Sequence, residues 1–403
     1  MKVIQVINCT PPNMVGGAEI TAKEVRSGLI SRGNEVVVIT LSTNKTLPND
    51  MLGHISLKLR NIYDPWRDKG KKNIIKKIFW KLIDFFNIFS FFDLLFAIKR
   101  EGGDIVLTHN LKGFSVSAWA AALILNKKIV HVTHDYYLVC STCALGTPGI
   151  KKCSGQCFSC KIYSLPKKIL SKKVSKFISV SDYVGGIHKN FLCIPDEKFI
   201  TINNTRTSFG RISFKKKVDY SECVVFGFIG RLEASKGFDI FIKAMHEVSK
   251  KNKVKVVVAG VEVVDGFLNS LCEYFESVDI SWLGHVSQRE FYDKVDCVIV
   301  PSVWDEPFPA VAYEPQLFGK IVVASRVGGI PEIVRDGETG YLFECGDVDG
   351  LVSVCCKILT EYDCASNLAL SAFNNSDKFS DGEKMVSSYI DVISEVLGNE
   401  KLT

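Results

Sequence analysis

Two apolar runs near the amino terminus indicate the architecture of the chain: Lys2-Val-Ile-Gln-Val-Ile7 and Glu35-Val-Val-Val-Ile-Thr40. Between them lie a turn rich in proline and glycine, residues 10–17, and a helix-like stretch, residues 18–31, which ends before Gly33. A strand, a glycine turn, a helix and a second buried strand in succession are typical of a βαβ unit in a parallel sheet. We therefore predict an α/β protein whose chain begins in a parallel sheet.

The strand pattern continues and then starts again in the second half of the chain. Further strands of the first sheet are predicted at residues 104–108, 128–133 and 177–180. The second series comprises a helix at residues 237–249 and strands at residues 223–229, 254–259, 280–283, 297–300 and 321–324. We predict two Rossmann-like, doubly wound domains that face a central cleft and bind ligands at the carboxyl ends of their strands.

Length and composition agree with two globular domains. The chain has 403 residues, of which 47% are apolar and 23% charged. It is too long for one compact core, and its composition excludes disordered, collagen-like and small disulfide-framework proteins. We assign residues 1–205 to the first domain and residues 206–385 to the second, with a hinge at 203–221. Residues 386–403 are predicted to form a helix that packs back on the first domain.

Charge is unevenly distributed along the chain. Up to Thr205 there are 29 Lys and Arg against 14 Asp and Glu, whereas from Arg206 onward there are 21 against 30. The asymmetry indicates either two domains that face different partners or two independently soluble surfaces. Because the sequence lacks a run of 18 uncharged apolar residues and the features of a signal peptide, we expect a cytoplasmic protein without a transmembrane helix.

Two loops that follow predicted strands have the chemistry to bind an anion. Gly16 and Gly17 let a phosphate or sugar approach the backbone at the start of a helix, although a tight structural turn is the alternative. Arg231 and Lys236 are five residues apart in the loop Gly227-Phe-Ile-Gly-Arg-Leu-Glu-Ala-Ser-Lys-Gly237. Both cations can converge on one anion, such as a leaving diphosphate, or they are solvated surface charges.

A pair of glutamates lies in and after the next candidate loop. Glu306 follows a strand that ends before Pro301, and Glu314 lies a turn or two into the next helix. The loop carboxylate can bind sugar hydroxyls and the helical carboxylate ribose hydroxyls, while the helix N-terminus between them can face a phosphate. The spacing alone is weak evidence, since a pair so spaced also arises by chance.

These motifs, in this order, resemble the retaining nucleotide-sugar glycosyltransferases of family four, which have the GT-B fold. The resemblance covers nearly the whole chain. It rests on the Gly16-Gly17 turn, Gly230-Arg-Leu-Glu-Ala-Ser-Lys-Gly237, Gly284-His-Val286, the Glu306/Glu314 pair, Gly328-Gly-Ile-Pro-Glu332 and Asp336-Gly-Glu-Thr-Gly340.

The resemblance implies a role for each matching residue. Arg231 and Lys236 would hold the donor diphosphate, Glu306 the sugar hydroxyls and Glu314 the ribose. The backbone at His285 and Val286 would contact the base, and His134 would lie beside the reacting sugar, although a lone histidine is more often structural. Further donor contacts are implied for Gly16, Gly17, Phe308, Pro309 and Ala310. Pro309 departs from the glycine of many members and removes one N–H donor.

Five cysteines crowd into one loop of the first domain, residues 140–160. Their spacing is Cys140-x2-Cys143, nine residues, then Cys153-x3-Cys157-x2-Cys160. This approaches the spacing of a zinc ribbon, so a structural Zn²⁺ bound by four of the five is one interpretation. Reduced, unliganded cysteines are the alternative, and a disulfide is disfavoured in the cytosol. No catalytic metal is expected, because the family's phosphate site uses Arg and Lys.

Apolar residues recur at helical spacing from Ile74 to Phe96, with seven phenylalanines from Phe79 onward. The segment is either a core helix or an interfacial helix that meets an anionic membrane. Nearby lysines favour the second interpretation: Lys71, Lys72, Lys76, Lys77, Lys151, Lys152, Lys167, Lys168, Lys172 and Lys173.

Together, the motifs predict a cytoplasmic glycosyltransferase, peripheral on the inner face of the cell membrane. It would transfer a sugar, as a retaining hexosyltransferase, from a nucleoside-diphosphate sugar to a glycan or lipid-linked acceptor in cell-surface polysaccharide synthesis. The alternatives are a nucleotide-sugar epimerase of the same fold and a catalytically inactive glycan-binding homologue. No nucleic-acid partner is expected.

Overall fold

The computed structural model describes residues 1–9, 16–42, 53–59, 74–147, 151–153, 155–209 and 223–398, apart from a few side chains inside these ranges. The strands are β1 (Lys2–Val6), β2 (Glu35–Ser42), β3 (His54–Lys58), β4 (Ile105–Thr108), β5 (Lys128–Thr133), β6 (Gly146–Thr147), β7 (Lys151–Lys152), β8 (Lys176–Ser179), β9 (Phe199–Thr201), β10 (Val224–Ile229), β11 (Val254–Ala259), β12 (Asp279–Gly284), β13 (Cys297–Val300), β14 (Ile321–Ser325) and β15 (Tyr341–Phe343).

The α-helices surround these strands. They are α1 (Gly17–Ser31), α2 (Ile74–Phe85), α3 (Ile88–Glu101), α4 (Ser117–Ile124), α5 (Phe158–Tyr163), α6 (Leu165–Ser171), α7 (Asp182–Leu192), α8 (Phe238–Ser249), α9 (Gln288–Tyr292), α10 (Ala310–Leu317), α11 (Ile330–Ile333), α12 (Val348–Thr360), α13 (Tyr362–Asn374), α14 (Asp377–Ser380) and α15 (Gly382–Leu397). Within the described ranges, none of these helices has both the length and the apolar character needed to cross a membrane.

The chain folds into two compact units, each with its own parallel sheet. The first comprises Met1–Leu145, Cys153–Asn204 and Gly382–Thr403, and the second Gly146–Lys152 and Thr205–Asp381. The sheet orders are β3-β2-β1-β4-β5-β8-β9 and β12-β11-β10-β13-β14-β15. Both are doubly wound orders in which the sequence direction reverses beside the first strand of the unit. The predicted α/β class with two Rossmann-like sheets is confirmed.

The central strands are continuous apolar runs because helices cover both faces of each sheet. Residues 36–41 of β2 and all four residues of β13 are buried. In the first unit, α15 packs along α1, where Gly28 permits the close approach, since a Cβ on Gly28 would overlap the side chain of Val386. The carboxyl-terminal helix is therefore part of the first unit.

The apolar segment from Ile74 to Phe96 is two helices, and the prediction of one continuous helix is wrong. Asn87 lies between α2 and α3, and its side chain accepts a hydrogen bond from Ser90 N at 3.1 Å, which caps the start of α3. The two polar residues Asp84 and Asn87 are fully buried, while much of the apolar stripe is exposed. The segment therefore presents apolar side chains outward and polar ones inward. Residues 71–73 and the side chains of Ile74 and Lys77 lie outside the described part.

Candidate functional site

The loops that carry the predicted site of the second unit lie where its strand order reverses. β10 and β13 are neighbours in the sheet, and they are followed by residues 230–237 and 301–309 respectively. Because parallel strands end at the same edge, these two loops meet there. Residues 210–221 of the predicted hinge lie outside the described part of the chain.

Lys236 and Glu306 are brought together at this edge. Lys236 Nζ donates to Glu306 Oε1 at 2.6 Å, and the hydroxyl of Ser302 donates to the same oxygen at 2.9 Å. Glu306 is 3% exposed, whereas the Lys236 side chain keeps 21% of its surface accessible. A cation held by a buried carboxylate yet reachable from solvent can bind an anion while the carboxylate remains compensated.

Arg231 does not share this contact. Its guanidinium pairs with Glu233 Oε1 at 2.9 Å, and the side chain is about half exposed. Glu233 is fixed in turn by the hydroxyl of Ser235 at 2.6 Å. The two side chains predicted to bind the diphosphate therefore pair with different carboxylates, Lys236 with Glu306 and Arg231 with Glu233.

Two glycines permit the close approach of these loops. Gly237 has φ +69° and lies against Pro301, so that a Cβ would overlap the Pro301 carbonyl oxygen. Gly328 has φ +55°, and a Cβ there would overlap the backbone of Glu306. The neighbouring Gly329 N–H donates to Glu306 O at 2.8 Å. The backbone of Glu306 is therefore fixed from a third loop, and the close approach explains the glycine at position 328.

Glu314 is an internal carboxylate with partners at both oxygens. Arg206 Nε donates to Oε1 at 2.6 Å, and the hydroxyl of Tyr292 donates to Oε2 at 2.9 Å. Glu314 is 1% exposed, and burial together with its charge raises the pKa of Tyr292 well above the usual value. Sequence reasoning missed Arg206 and Tyr292. Pro315, which directly follows Glu314, lies inside α10.

The other predicted donor contacts occupy different environments. Phe308 is buried against the rings of Tyr313 and Phe379, so its side chain belongs to the core. Pro309 is the N-cap of α10, directly before Ala310. His285 and Val286 follow β12, with His285 exposed.

In the first unit, Gly16 and Gly17 begin α1. The N–H of Gly16 donates to the Glu19 carboxylate at 3.0 Å, which satisfies one of the free donors of this helix start. Burial raises the pKa of Glu19, and the nearby charge of Asp135 adds to the effect. Residues 10–15 of the predicted turn lie outside the described part.

His134 directly follows β5 and is 9% exposed. Its Nε2 lies 2.9 Å from Nδ1 of His109, and the two rings are stacked. Burial lowers the pKa of His134 to about 3, so the ring is neutral at physiological pH. Sequence reasoning missed His109, although it follows the end of β4 just as His134 follows that of β5.

The five clustered cysteines do not form a metal cage in this arrangement. Cys140 contacts the hydroxyl of Thr142 at 3.1 Å, Cys157 that of Ser159 at 3.2 Å, and Cys160 accepts from Ser141 N at 3.4 Å. In the described ranges, no three His, Cys, Asp or Glu side chains gather around a common metal position. The donor set suits zinc chemically, but its present geometry does not.

Two buried charged residues, Asp84 of α2 and Lys167 of α6, anchor the cysteine-rich segment to α2. Asp84 accepts hydrogen bonds from the hydroxyls of Tyr163 at 2.6 Å and Tyr137 at 2.8 Å. Lys167 Nζ lies over both tyrosine rings, 3.2 Å from the centroid of Tyr163 and 3.9 Å from that of Tyr137, and it donates to Tyr137 O at 3.1 Å. Burial lowers the pKa of Lys167 to about 8. The prediction that Lys167 is one of the lysines that meet an anionic membrane is wrong, because this residue is fully buried.

Known proteins are similar to this chain in sequence and in fold. The model of Glycosyltransferase Family 4 matches residues 15–205, and that of Glycosyl transferases group 1 matches residues 211–373. An uncharacterised 42.6 kDa protein in the cps region of Klebsiella pneumoniae is 32% identical over 359 residues, which cover 87% of this chain and 92% of that protein. A glycosyltransferase from Rickettsia africae superposes with a TM-score of 0.73, at 18% identity over 99% of both chains.

A second solved structure, HepE of Anabaena with UDP and glucose, has a TM-score of 0.72 at 17% identity, over 98% of this chain and all of that one. Two doubly wound sheets with such structural neighbours define the GT-B fold. The chain belongs to the family-four glycosyltransferases, as the ordered motifs predicted.

Proposed function

We propose that this glycosyltransferase moves a hexose from a nucleoside-diphosphate sugar to a glycan or lipid-linked acceptor of a cell-surface polysaccharide, with retention of configuration. The observation that carries the proposal is the contact of Lys236 with buried Glu306 where the strand order reverses. It puts a cation for a diphosphate beside a carboxylate for sugar hydroxyls. Relatives encoded in cps regions, and a neighbour crystallised with UDP-glucose, support the substrate class.

The proposed reaction needs charge stabilisation more than a protein base. The bond between the anomeric carbon and the diphosphate oxygen breaks, and its electron pair stays on the diphosphate. The acceptor hydroxyl attacks the same face, and its proton passes to an oxygen of the departing phosphate. Lys236 and Arg231 would neutralise the developing charge, and Glu306 would orient the sugar. His134, whose pKa is lowered to about 3, is a poor base at neutral pH.

The test follows the donor and the product together. Purified protein is incubated with UDP-glucose first and then with other nucleotide sugars, with and without oligosaccharide or polyprenyl-linked acceptors. Nucleotide release that depends on an acceptor, with an unchanged anomeric configuration in the product, is expected. A donor sugar that is isomerised without an acceptor would indicate an epimerase. Glycan binding without any turnover would indicate an inactive homologue.

The proposal includes a peripheral position on an anionic membrane, supported by two exposed apolar stripes of the first unit. The first, on α2 and α3, comprises Ile75, Ile78, Phe79, Leu82, Ile88, Phe89, Phe92 and Phe96, and the second, on α5 and α6, comprises Phe158, Ile162, Leu165 and Ile169. Tyr163 of α5 is bonded to Asp84 of α2, so the two helix pairs are joined. Exposed apolar side chains grouped in this way mark interaction surfaces.

The charged residues beside these two stripes indicate which partner would contact them. Exposed lysines accompany both stripes, namely Lys76, Lys81, Lys161, Lys172 and Lys173. Aromatic and aliphatic side chains beside lysines suit the interface of an anionic bilayer, which attracts each nearby cation by about 1 kcal/mol. The proposed occupant is therefore the lipid surface that carries the acceptor.

A further inference from the structure

Three buried side chains form a hydrogen-bonded line in the first unit. Gln5 belongs to β1, His109 follows β4, and His134 follows β5. They are 1%, 0% and 9% exposed, so water competes little for their hydrogen bonds. The family resemblance implies a place beside the reacting sugar for the last of them, whereas the first two have no assigned role.

The orientation of the Gln5 amide is fixed by its neighbours. Gln5 Nε2 lies 3.0 Å from the carbonyl oxygen of Ala22 and 2.9 Å from Nε2 of His109. A carbonyl oxygen only accepts, so the NH₂ end of the amide must face it. The second hydrogen of the same NH₂ group then points to His109, whose Nε2 accepts it.

The tautomer of His109 follows from that bond. Burial and the neighbouring His134 and His131 lower the pKa of His109 well below the usual value, so the ring is neutral. A neutral imidazole carries one hydrogen, and Nε2 is already an acceptor, so the hydrogen lies on Nδ1. His109 Nδ1–H therefore donates to His134 Nε2 across 2.9 Å. The reverse direction would require two acceptor nitrogens on His109.

We infer that Gln5 and His109 are positioning residues that hold His134 as its Nδ1–H tautomer, so that His134 offers a ligand a hydrogen-bond donor. Among the described residues, none bonds to Nδ1 of His134. The chemistry it would recognise is an acceptor oxygen of the nucleotide sugar, either a sugar hydroxyl or a phosphate oxygen. This ligand assignment rests on the proposed function, whereas the tautomer does not.

The tautomer is measured directly, without a ligand. Protein with ¹⁵N-labelled histidine is examined by long-range ¹H–¹⁵N correlation at neutral pH, and the signals lost in His134→Gln identify His134. A protonated Nδ1 and an unprotonated Nε2 are expected. In Gln5→Glu the oxygen facing His109 accepts from Nε2–H, so both histidines should change to the opposite tautomer. A wild-type His134 protonated at Nε2 would overturn the inference whether or not any variant folds.

The affinities for UDP-glucose and for UDP then show whether the acceptor oxygen is a sugar hydroxyl or a phosphate oxygen. If the oxygen is a sugar hydroxyl, Gln5→Glu should weaken UDP-glucose about 10-fold and leave UDP unchanged, since one hydrogen bond is lost. If it is a phosphate oxygen, both ligands weaken together. A changed tautomer with unchanged affinity for both would overturn the ligand role. Absence of UDP-sugar binding to wild type would refute the proposed function while leaving the tautomer standing. Gln5→Met serves as the matched control, because methionine neither donates a hydrogen bond to His109 nor, as glutamate does, reverses the direction of the hydrogen bonds between the two histidines.

Discussion

At the scale of single residues, the second unit contains two buried carboxylates that differ in what their cations can reach. Lys236, the partner of Glu306, remains partly accessible, whereas Arg206, the partner of Glu314, is 7% exposed in its side chain. Lys236 can therefore contact a ligand while it pairs with Glu306, whereas the pair of Arg206 and Glu314 stabilises the fold. We therefore expect the two cations to differ in their mutational signatures.

Replacing Lys236 by Ala should lower the transfer rate about 100-fold, because the charge that stabilises the departing diphosphate is lost. Steady-state rates with a saturating donor measure this effect. Lys250→Ala is the matched control, since Lys250 forms an exposed pair with Glu247. A Lys236 variant within threefold of wild type would contradict the proposed role.

Replacing Arg206 by Met should instead lower the free energy of unfolding by about 3–5 kcal/mol, because Glu314 is left buried without its cation. Denaturant titration measures the loss. Adding Glu314→Gln should recover much of it, since the uncompensated charge is then removed. Arg326→Met, at a half-exposed ion pair, should cost under about 1 kcal/mol. An equal loss of unfolding free energy in Arg206→Met and Arg326→Met would contradict this prediction, because the buried pair would then stabilise the fold no more than an exposed one.

At the scale of elements, the sequence predicts strands best where the pattern of apolar residues is unambiguous. β5, β11 and β13 coincide with predicted strands because apolar runs buried on both faces are unambiguous. β3, β9 and β15 were not predicted, since each is a short strand at a sheet edge, where fewer apolar residues are needed. Glu306 and Lys236 were found through their loops. Their companions Arg206 and Gln5 were not, because Arg206 and Glu314 are 108 residues apart and Gln5 and His109 are 104 apart.

The cysteine-rich segment carries a prediction that the sequence made and the structure leaves open. We propose that zinc binds four of the five cysteines, which requires their separately engaged sulfurs to converge. Elemental analysis of protein purified without added metal should find about one zinc per chain. Cys160→Ser should release it, whereas Cys193→Ser, outside the cluster, should not. Folded, active protein free of metal would support the reduced alternative.

At the scale of the whole molecule, the excess of positive charge lies in the half of the chain that carries both exposed apolar stripes. The other half has more acidic than basic residues and supplies the Lys236 and Glu306 loops. A lipid-linked acceptor would be met by the first half and a nucleotide donor by the second. The asymmetry then acquires a physical meaning, because anionic lipid attracts one half and repels the other.

The protein should bind vesicles that contain anionic lipid, and binding should weaken as salt rises, because the lysine contribution is screened. Sedimentation with vesicles of neutral and anionic composition measures both effects. Phe89→Ser with Phe92→Ser should weaken binding further, since the inserted apolar surface is lost, and Phe158→Ser with Ile162→Ser should do so if the α5–α6 stripe also inserts. Leu370→Ser, an exposed apolar position of the second unit, is the control and should leave binding unchanged. No binding to anionic vesicles at low salt would refute the membrane proposal, and a soluble glycan would then be the acceptor to test.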